Sequence, residues 1–354
     1  MPSNGRFVTL DGMRGLAALV VAWAHIGELL GLGLPPHSEL AVDFFFVLSG
    51  FVIAQAYEDR LATTMGLREF LKIRAIRLHP LLMLGCAISL CVLGAQSLDG
   101  HGETAGALAW AAIAAVLLLP FHSLDSPGAF PLDGPAWSLF AEYWVNILFA
   151  LIAPFLTFAR LRALMLAGVL MLMLLFILEG GIGNVWRTES IGLSILRVTY
   201  PFFGGVMASR LYRSGKLRVP TVTPLVSVTL LTAVLLSPAF RFDVAFEVAM
   251  IVGFFPLLVL ASTNDVMPAV QHRIMLLGGA LSYPVYTLHF PLALALFIPL
   301  VGTGHTTAGT MGYLAAYMIG LCALSYAALR YFDEPVRAWL GKRLLSRKPR
   351  TVPA

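Results

Sequence analysis

From Leu10 to Ile26 the chain reads LDGMRGLAALVVAWAHI, with apolar side chains at nearly every position. The same texture covers 12–31, 41–58, 79–98, 105–121, 137–158, 161–179, 191–212, 219–238, 244–262, 279–301 and 309–330. Runs of about 20 apolar residues have the length of a helix that crosses a hydrocarbon core. A membrane β-barrel would alternate apolar and polar residues, and these unbroken Leu, Ala and Val runs do not. The pattern predicts an all-α, polytopic integral membrane bundle.

Basic residues orient the spans, because Lys and Arg gather in cytoplasmic loops. With the N-terminus inside, the loop 58–78 also lies inside and holds Arg60, Arg68, Lys72, Arg74 and Arg77. The loop 32–40 lies outside and has no Lys or Arg. If 105–121 crossed, the turns Arg160/Arg162 and Arg210/Arg213/Lys216/Arg218 would fall outside, with the C-terminal GKRLLSRKPR. If it does not cross, all three fall inside, and the outer loops keep only Arg187 and Arg241. The expected topology has ten crossings and both termini in the cytoplasm. Residues 105–121 form a re-entrant or interfacial helix on the outer side. Residues 1–340 make one membrane domain, and 341–354 a short basic tail that touches anionic headgroups. No repeat of the kind common in transporters is visible. The first span is expected to be retained, since an A-x-A site is lacking and Arg14 would lie within its apolar region.

Composition agrees with this reading. The 354 residues are 58% hydrophobic and 12% charged, with a mean hydropathy of +0.83. Soluble domains carry about a quarter charged residues. The net charge of +5 comes largely from the basic loops, so it does not argue for nucleic acid. Cys86, Cys91 and Cys322 lie inside apolar runs at spacings that fit neither a metal site nor a disulfide framework.

The ionisable residues inside the spans are costly and mark function. Arg14 and His25 stand eleven positions apart, almost three helical turns. They share a face and lie roughly 16 Å apart along the axis. Arg14 falls near the cytoplasmic side and His25 in the outer half. A snorkelling arginine with a histidine bonded to a neighbouring helix is the plainer alternative. Asp43 opens the second span, where an N-cap is the expected role. Phe44, Phe45 and Phe46 read as lipid-facing packing. Ser49-Gly50 offers a close-approach patch. Arg74 and Arg77 stand one turn apart at the inner mouth of span three, suited to phosphate, although positive-inside bias also explains them. Ser138 and Glu142 share a face. Glu142 lies near the depth of His25, where a carboxylate would orient the imidazole of a general base. Trp137, Tyr143 and Trp144 fit the interfacial aromatic belt. Ser282, Tyr286 and His289 line one stripe of span ten, and Arg197 lies inside span seven. Asp333, Glu334 and Arg337 end the last span, where ion pairing with basic loops is expected.

Taken in order, these residues resemble the acyltransferase-3 family of membrane O-acyltransferases. The likeness rests on Arg14 and His25 with ten residues between them, and on VDFFFVLSGF at Val42 to Phe51. It continues with the pair Arg74/Arg77 followed by His79-Pro80. Then come Trp137-Ser138-Leu139 with Glu142, the stretch Ser282, Tyr283, Tyr286 and His289, and finally Glu334 to Arg337. Each element is weak by itself, and their order is specific. In one place the chain departs, with Ala141 where the family often has a first acidic residue. The resemblance implies a bacterial inner-membrane enzyme that binds no resident cofactor and uses acyl-CoA, by default acetyl-CoA, as co-substrate. It implies a carbohydrate hydroxyl as acceptor: a surface polysaccharide, an O-antigen or a lipid-linked glycan. Many members add a C-terminal SGNH hydrolase-like domain; none is expected here, so a separate periplasmic partner would handle the acceptor if one is needed. His25 would be the general base with Glu142 beside it. Arg14, Arg74 and Arg77, with Ser49, Ser138, Ser282, Tyr286 and His289, would bind the donor or the acceptor substrate. No metal is expected. A secondary transporter or exporter of a lipid-linked or small polar substrate is the main alternative, and a non-catalytic sensor or assembly component is another.

Overall fold

Helix is the regular structure of this chain, apart from one antiparallel bridge between Gly128 and Arg187 among the described residues. In lipid each backbone N–H and C=O must find its partner within the chain, and a helix does that segment by segment. The computed structural model describes residues 6–33, 35–100, 102–122, 128–179, 183–187, 189–215, 219–296 and 307–345. The elements are α1 (Val8–Leu29), α2 (Leu40–Thr63), α3 (Leu67–Leu98), α4 (Ala105–Val116), α5 (Ala136–Ile152), α6 (Phe158–Glu179), α7 (Leu193–Ser214) and α8 (Pro224–Leu235). Then α9 (Asp243–Ala249) passes through the π turn Met250–Phe254 into α10 (Phe255–Ala261). After α11 (Ala269–Leu296), α12 (Thr307–Ala328) passes through a second π turn, Leu329–Asp333, into α13 (Glu334–Leu344). Residues 346–354 of the expected basic tail lie outside the described residues, as does 297–301 of the tenth expected span.

Each apolar segment of the sequence falls on one helical body, and the protein is a polytopic membrane helical bundle. Six helical stretches are long and apolar enough to cross by length and composition alone. Two helices start well before their apolar runs. α3 begins at Leu67 rather than 79, and α11 at Ala269 rather than 279. Their first turns are polar, so hydropathy does not register them. This matters for the site, because Arg74 and Arg77 lie within α3 and not in the loop before it.

Prolines account for both π turns. Pro256 and Pro335 lack the N–H that would bond four residues back, and the helix widens there. The carbonyl left free by Pro256 belongs to Val252, and the Tyr200 hydroxyl donates to it at 2.7 Å.

Two helix pairs form the interior. α1 packs on α11 through Gly12, Gly15, Gly278 and Gly279. A Cβ on Gly15 would overlap the Gly278 backbone. α2 packs on α7 in the same way, since a Cβ on Gly50 would overlap the Phe202 carbonyl and one on Gly205 the Val47 carbonyl. Small residues let helix backbones approach where lipid gives no hydrophobic drive. Both pairs run parallel. Thr9 bonds Asp265, Arg14 bonds Ser282 and His25 reaches His289. Likewise Asp43 meets Arg197, Gln55 meets the Ser209 carbonyl and Glu58 meets Arg210.

Asp43 is therefore no N-cap. Helix α2 starts at Leu40, and the Asp43 side chain receives Arg197 on both oxygens, at 3.1 and 2.7 Å. Arg197 also lies over the Trp137 ring at 5.2 Å, so Trp137 belongs to the interior rather than to an interfacial belt. Tyr143 likewise turns inward to bond His79 at 2.8 Å, while Trp144 stays half exposed. Phe44 and Phe46 are buried and Phe45 lines a cavity, so the aromatic triplet does not face lipid. The exposed apolar surface lies instead on helices such as α6, at Leu166, Leu170, Leu174 and Ile177.

Helix α4 has 12 residues, about 18 Å of rise, well short of a hydrocarbon core of about 30 Å. It folds back along α3, where Ala111 and Ala115 line a small cavity together with Leu82 and Cys86. The chain then returns: Phe121 N bonds the Ala129 carbonyl, and Ala129 N bonds that of Trp186, between α6 and α7.

Candidate active site

A cavity of about 230 Å³ lies between α1, α2, α3, α5 and α11. Along α2 it runs from Val42 to Tyr57, about 22 Å of helix. Nearest the α2–α3 turn its wall carries Tyr57 and Ile73, with Arg77 one turn beyond Arg74 on α3, and at the far end Val42, Phe45, Ser138 and Tyr286. Arg14, Ser49, Arg74, Glu142, Ser282 and Tyr283 stand along it.

Three guanidiniums meet two carboxylates here, Asp11 and Glu142, and leave one positive charge uncompensated. Arg14 is held by α11, where its Nε donates to Ser282 Oγ and an Nη to the Gly279 carbonyl, each at 2.8 Å. Asp11, one turn earlier, lies 3.0 Å away. A Cβ on Gly279 would overlap the Asp11 side chain, so the glycine is what lets Asp11 sit against α11 beside Arg14. Arg74 donates to Glu142 Oε1 at 2.5 Å, and Ser49 Oγ donates to the same oxygen at 2.8 Å. Arg74 Nε has no partner among the described residues. Arg77 makes no ion pair among them and stands within electrostatic range of Arg14, Arg74 and Arg337. A channel with this balance attracts anions, and paired guanidiniums match phosphate geometry.

At the far end Ser138 Oγ and Tyr286 Oη lie 2.6 Å apart, and Ser138 donates to the Pro135 carbonyl at 3.0 Å. Beyond Tyr286 stand two histidines. His25 Nδ1 and His289 Nε2 are 3.0 Å apart with nearly coplanar rings, and His289 Nδ1 lies 2.6 Å from the Tyr286 carbonyl. His289 is fully buried, whereas His25 is partly exposed. The Tyr286 and His289 rings are 5.9 Å apart, so one side-chain layer separates the cavity from the histidine pair.

Eight of the expected site residues therefore share one wall: Arg14, Ser49, Arg74, Arg77, Ser138, Glu142, Ser282 and Tyr286. The expected pairing of Glu142 with His25 is not formed. Glu142 is taken by Arg74 and Ser49, and the partner of His25 is His289. The early start of α3 explains the difference, because it carries Arg74 two turns into the bundle, level with Glu142. Sequence spacing also missed Tyr57, two turns after Ser49 on the same face of α2, and Tyr283, whose hydroxyl donates to the Leu78 carbonyl at 2.5 Å. The face periodicity of α2 could have found Tyr57. No local signal links His25 to His289, because the contact exists only through the parallel packing of α1 on α11.

At the inner end Arg337 pairs with Asp333 at 2.8 Å and Arg330 with Glu334 at 2.6 Å, each within the last helix rather than with a basic loop. Among the described residues no group of three or more His, Cys, Asp or Glu side chains could hold a metal ion.

Compared with known proteins, residues 7–330 match the family described as Acyltransferase domain, acyltransferase-3. The chain is 43% identical over 156 residues to "Protein 2 in picA locus" of Rhizobium radiobacter, covering 41% of this chain and 81% of that protein. It is 31% identical over 162 residues to Acyltransferase MdmB of Streptomyces mycarofaciens, covering 42% of this chain and 40% of that protein. No solved structure matches the chain.

Proposed function

This chain belongs to the acyltransferase-3 family of membrane acyltransferases, and we propose that it moves an acyl group, by default acetyl, from cytoplasmic acyl-CoA to a hydroxyl of a carbohydrate acceptor. A surface polysaccharide, an O-antigen or a lipid-linked glycan would supply that hydroxyl. The carrying observation is that Arg14, Arg74 and Arg77 line one narrow cavity whose opposite end meets Ser138, Tyr286 and, behind them, the His25–His289 pair. The phosphates of CoA sit among the guanidiniums, and the pantetheine arm extends along α2 toward Tyr286. Glu142, with Oε1 bound by Arg74 and Ser49, keeps Arg74 in place.

In the reaction the acceptor oxygen bonds to the thioester carbonyl carbon and the C–S bond breaks. His25 takes the hydroxyl proton and returns it to the departing sulfur, which leaves as the thiol while the imidazole is restored to its neutral form. The hydroxyls of Tyr286 and Ser138 are the donors nearest to a developing oxyanion. Their mutual contact must part as the thioester seats, so that acyl carbon and imidazole meet.

The topology belongs to the same proposal. A parallel pair such as α2 and α7 requires an odd number of crossings between its members, and four helices intervene. Of those four α4 is the shortest, which supports it as the re-entrant one. Helix α8 has the same 12 residues. The parallel α1–α11 pair also needs an odd number of crossings between its members, which supports counting α8 as a crossing. The total is then ten, with both termini cytoplasmic.

Equilibrium binding to the purified protein tests the donor assignment. Acetyl-CoA is expected to bind at least tenfold more tightly than S-acetylpantetheine, which lacks the nucleotide phosphates. Arg77→Gln, which disturbs no internal ion pair, is expected to weaken acetyl-CoA by about tenfold, since a hydrogen bond to a charged group contributes about 1.5–3 kcal/mol. It should leave S-acetylpantetheine unaffected. Equal affinities for both thioesters would refute phosphate recognition by this cavity.

A further inference from the structure

The hydrogen-bond chain through His289 fixes where the protons of both imidazoles lie. A carbonyl oxygen can only accept, so His289 Nδ1, 2.6 Å from the Tyr286 carbonyl, must carry a hydrogen. The neutral ring then has its lone pair on Nε2. That nitrogen lies 3.0 Å from His25 Nδ1, which must therefore be the donor. It follows that neutral His25 carries no hydrogen on Nε2. The reverse arrangement, with His289 donating through both nitrogens, makes His289 a cation. His289 is fully buried, and no carboxylate bonds either ring among the described residues. An unpaired buried charge of that kind is strongly disfavoured.

We infer that His289 is the positioning residue that sets the tautomer of His25, turning the His25 Nε2 lone pair toward the acceptor hydroxyl. The inference rests on the reading of His25 as the proton acceptor. It assigns to His289 the work that a carboxylate performs in many base pairs. A neutral partner does this without placing a net charge beside the thioester. The backbone anchors the chain, because Tyr286 O belongs to the same helix as His289, and the Tyr317 hydroxyl donates to the His289 carbonyl. The ring is thereby held in one orientation.

Two substitutions separate this role from simple packing. In His289→Gln the amide oxygen can accept from His25 Nδ1 while the amide nitrogen donates to the Tyr286 carbonyl, so the relay survives without an imidazole. His289→Leu fills similar space and provides neither contact. Turnover is expected to fall about 10- to 100-fold in His289→Leu, the usual cost of losing such an outer partner, and to stay within a few-fold of wild type in His289→Gln. Nitrogen NMR of histidine-labelled protein, with His25 assigned by the loss of its signals in His25→Ala, reads the tautomer without substrate. Wild type and His289→Gln should show His25 protonated on Nδ1 alone, and His289→Leu a mixture. A wild-type His25 protonated on Nε2, or a fully active His289→Leu, would overturn the inference. The expected tautomer in a protein that consumes no acyl-CoA would instead refute the acyl-transfer reading and leave the hydrogen-bond assignment standing.

Discussion

His25→Ala is expected to slow acyl transfer by ~10²- to 10⁴-fold, the usual contribution of a positioned base, while acetyl-CoA still binds with near wild-type affinity. The two effects separate because His25 does not line the donor cavity. It stands beyond Tyr286, bonded to His289, and its remaining nitrogen makes no bond with the described residues. Removing the imidazole therefore removes the proton acceptor and leaves Arg14, Arg74 and Arg77 in place. Single-turnover transfer from labelled acetyl-CoA, with binding measured on the same preparation, checks both halves. A variant that transfers at the wild-type rate would remove His25 from the chemistry. A variant that loses affinity in proportion to rate would show that the imidazole supports the donor site instead.

Asp43→Ala is expected to cost about 3–5 kcal/mol of stability, the cost typical of breaking a buried ion pair from one side. Asp43 and Arg197 are 0% and 1% exposed and bond through both carboxylate oxygens. They fasten one end of the α2–α7 pair, and Glu58 with Arg210 and Arg213 fastens the other. With Asp43 gone, Arg197 stays deep in the bundle over the Trp137 ring, bonded to the Glu39 carbonyl at 3.2 Å and 3.9 Å from the Glu39 carboxylate, but without the carboxylate that meets it on two oxygens. The double variant Asp43→Leu/Arg197→Met removes both charges and should melt above Asp43→Ala in detergent. A double variant less stable than either single change would contradict this account, since the damage would then come from lost packing rather than from a buried charge that has lost its main counter-ion.

Much of the bundle was legible in the sequence, and the reason is physical. A helix in lipid must be apolar over about 20 residues, so each span writes its own signal. Polar residues that interrupt such a run are conspicuous, and this singled out Arg14, His25, Glu142 and Arg197 without any coordinates. The partners of those residues were not legible. Depth estimated by counting from a hydropathy boundary placed Glu142 beside His25, and the boundary of α3 was wrong by three turns. Polar inner turns such as those holding Lys72, Arg74 and Arg77 remain helical because their neighbours in the bundle hold them, and hydropathy does not record neighbours. The contact of His25 with His289 bridges 264 positions and depends on the parallel packing of α1 on α11. That packing is set by four glycines whose pairing no local pattern announces. Asp43 shows the same limit, since its position near a helix start suggested a cap and its partner lay in α7.

The most direct test is a cryo-EM map of the protein with bound CoA. The expected density places the nucleotide phosphates among Arg14, Arg74 and Arg77, with the pantetheine arm along α2 and the sulfur within reach of Tyr286 and His25. A sulfur buried at the arginine end, or a nucleotide bound outside this channel, would mean that guanidiniums and imidazole do not serve one substrate, and the mechanism described for them would be wrong.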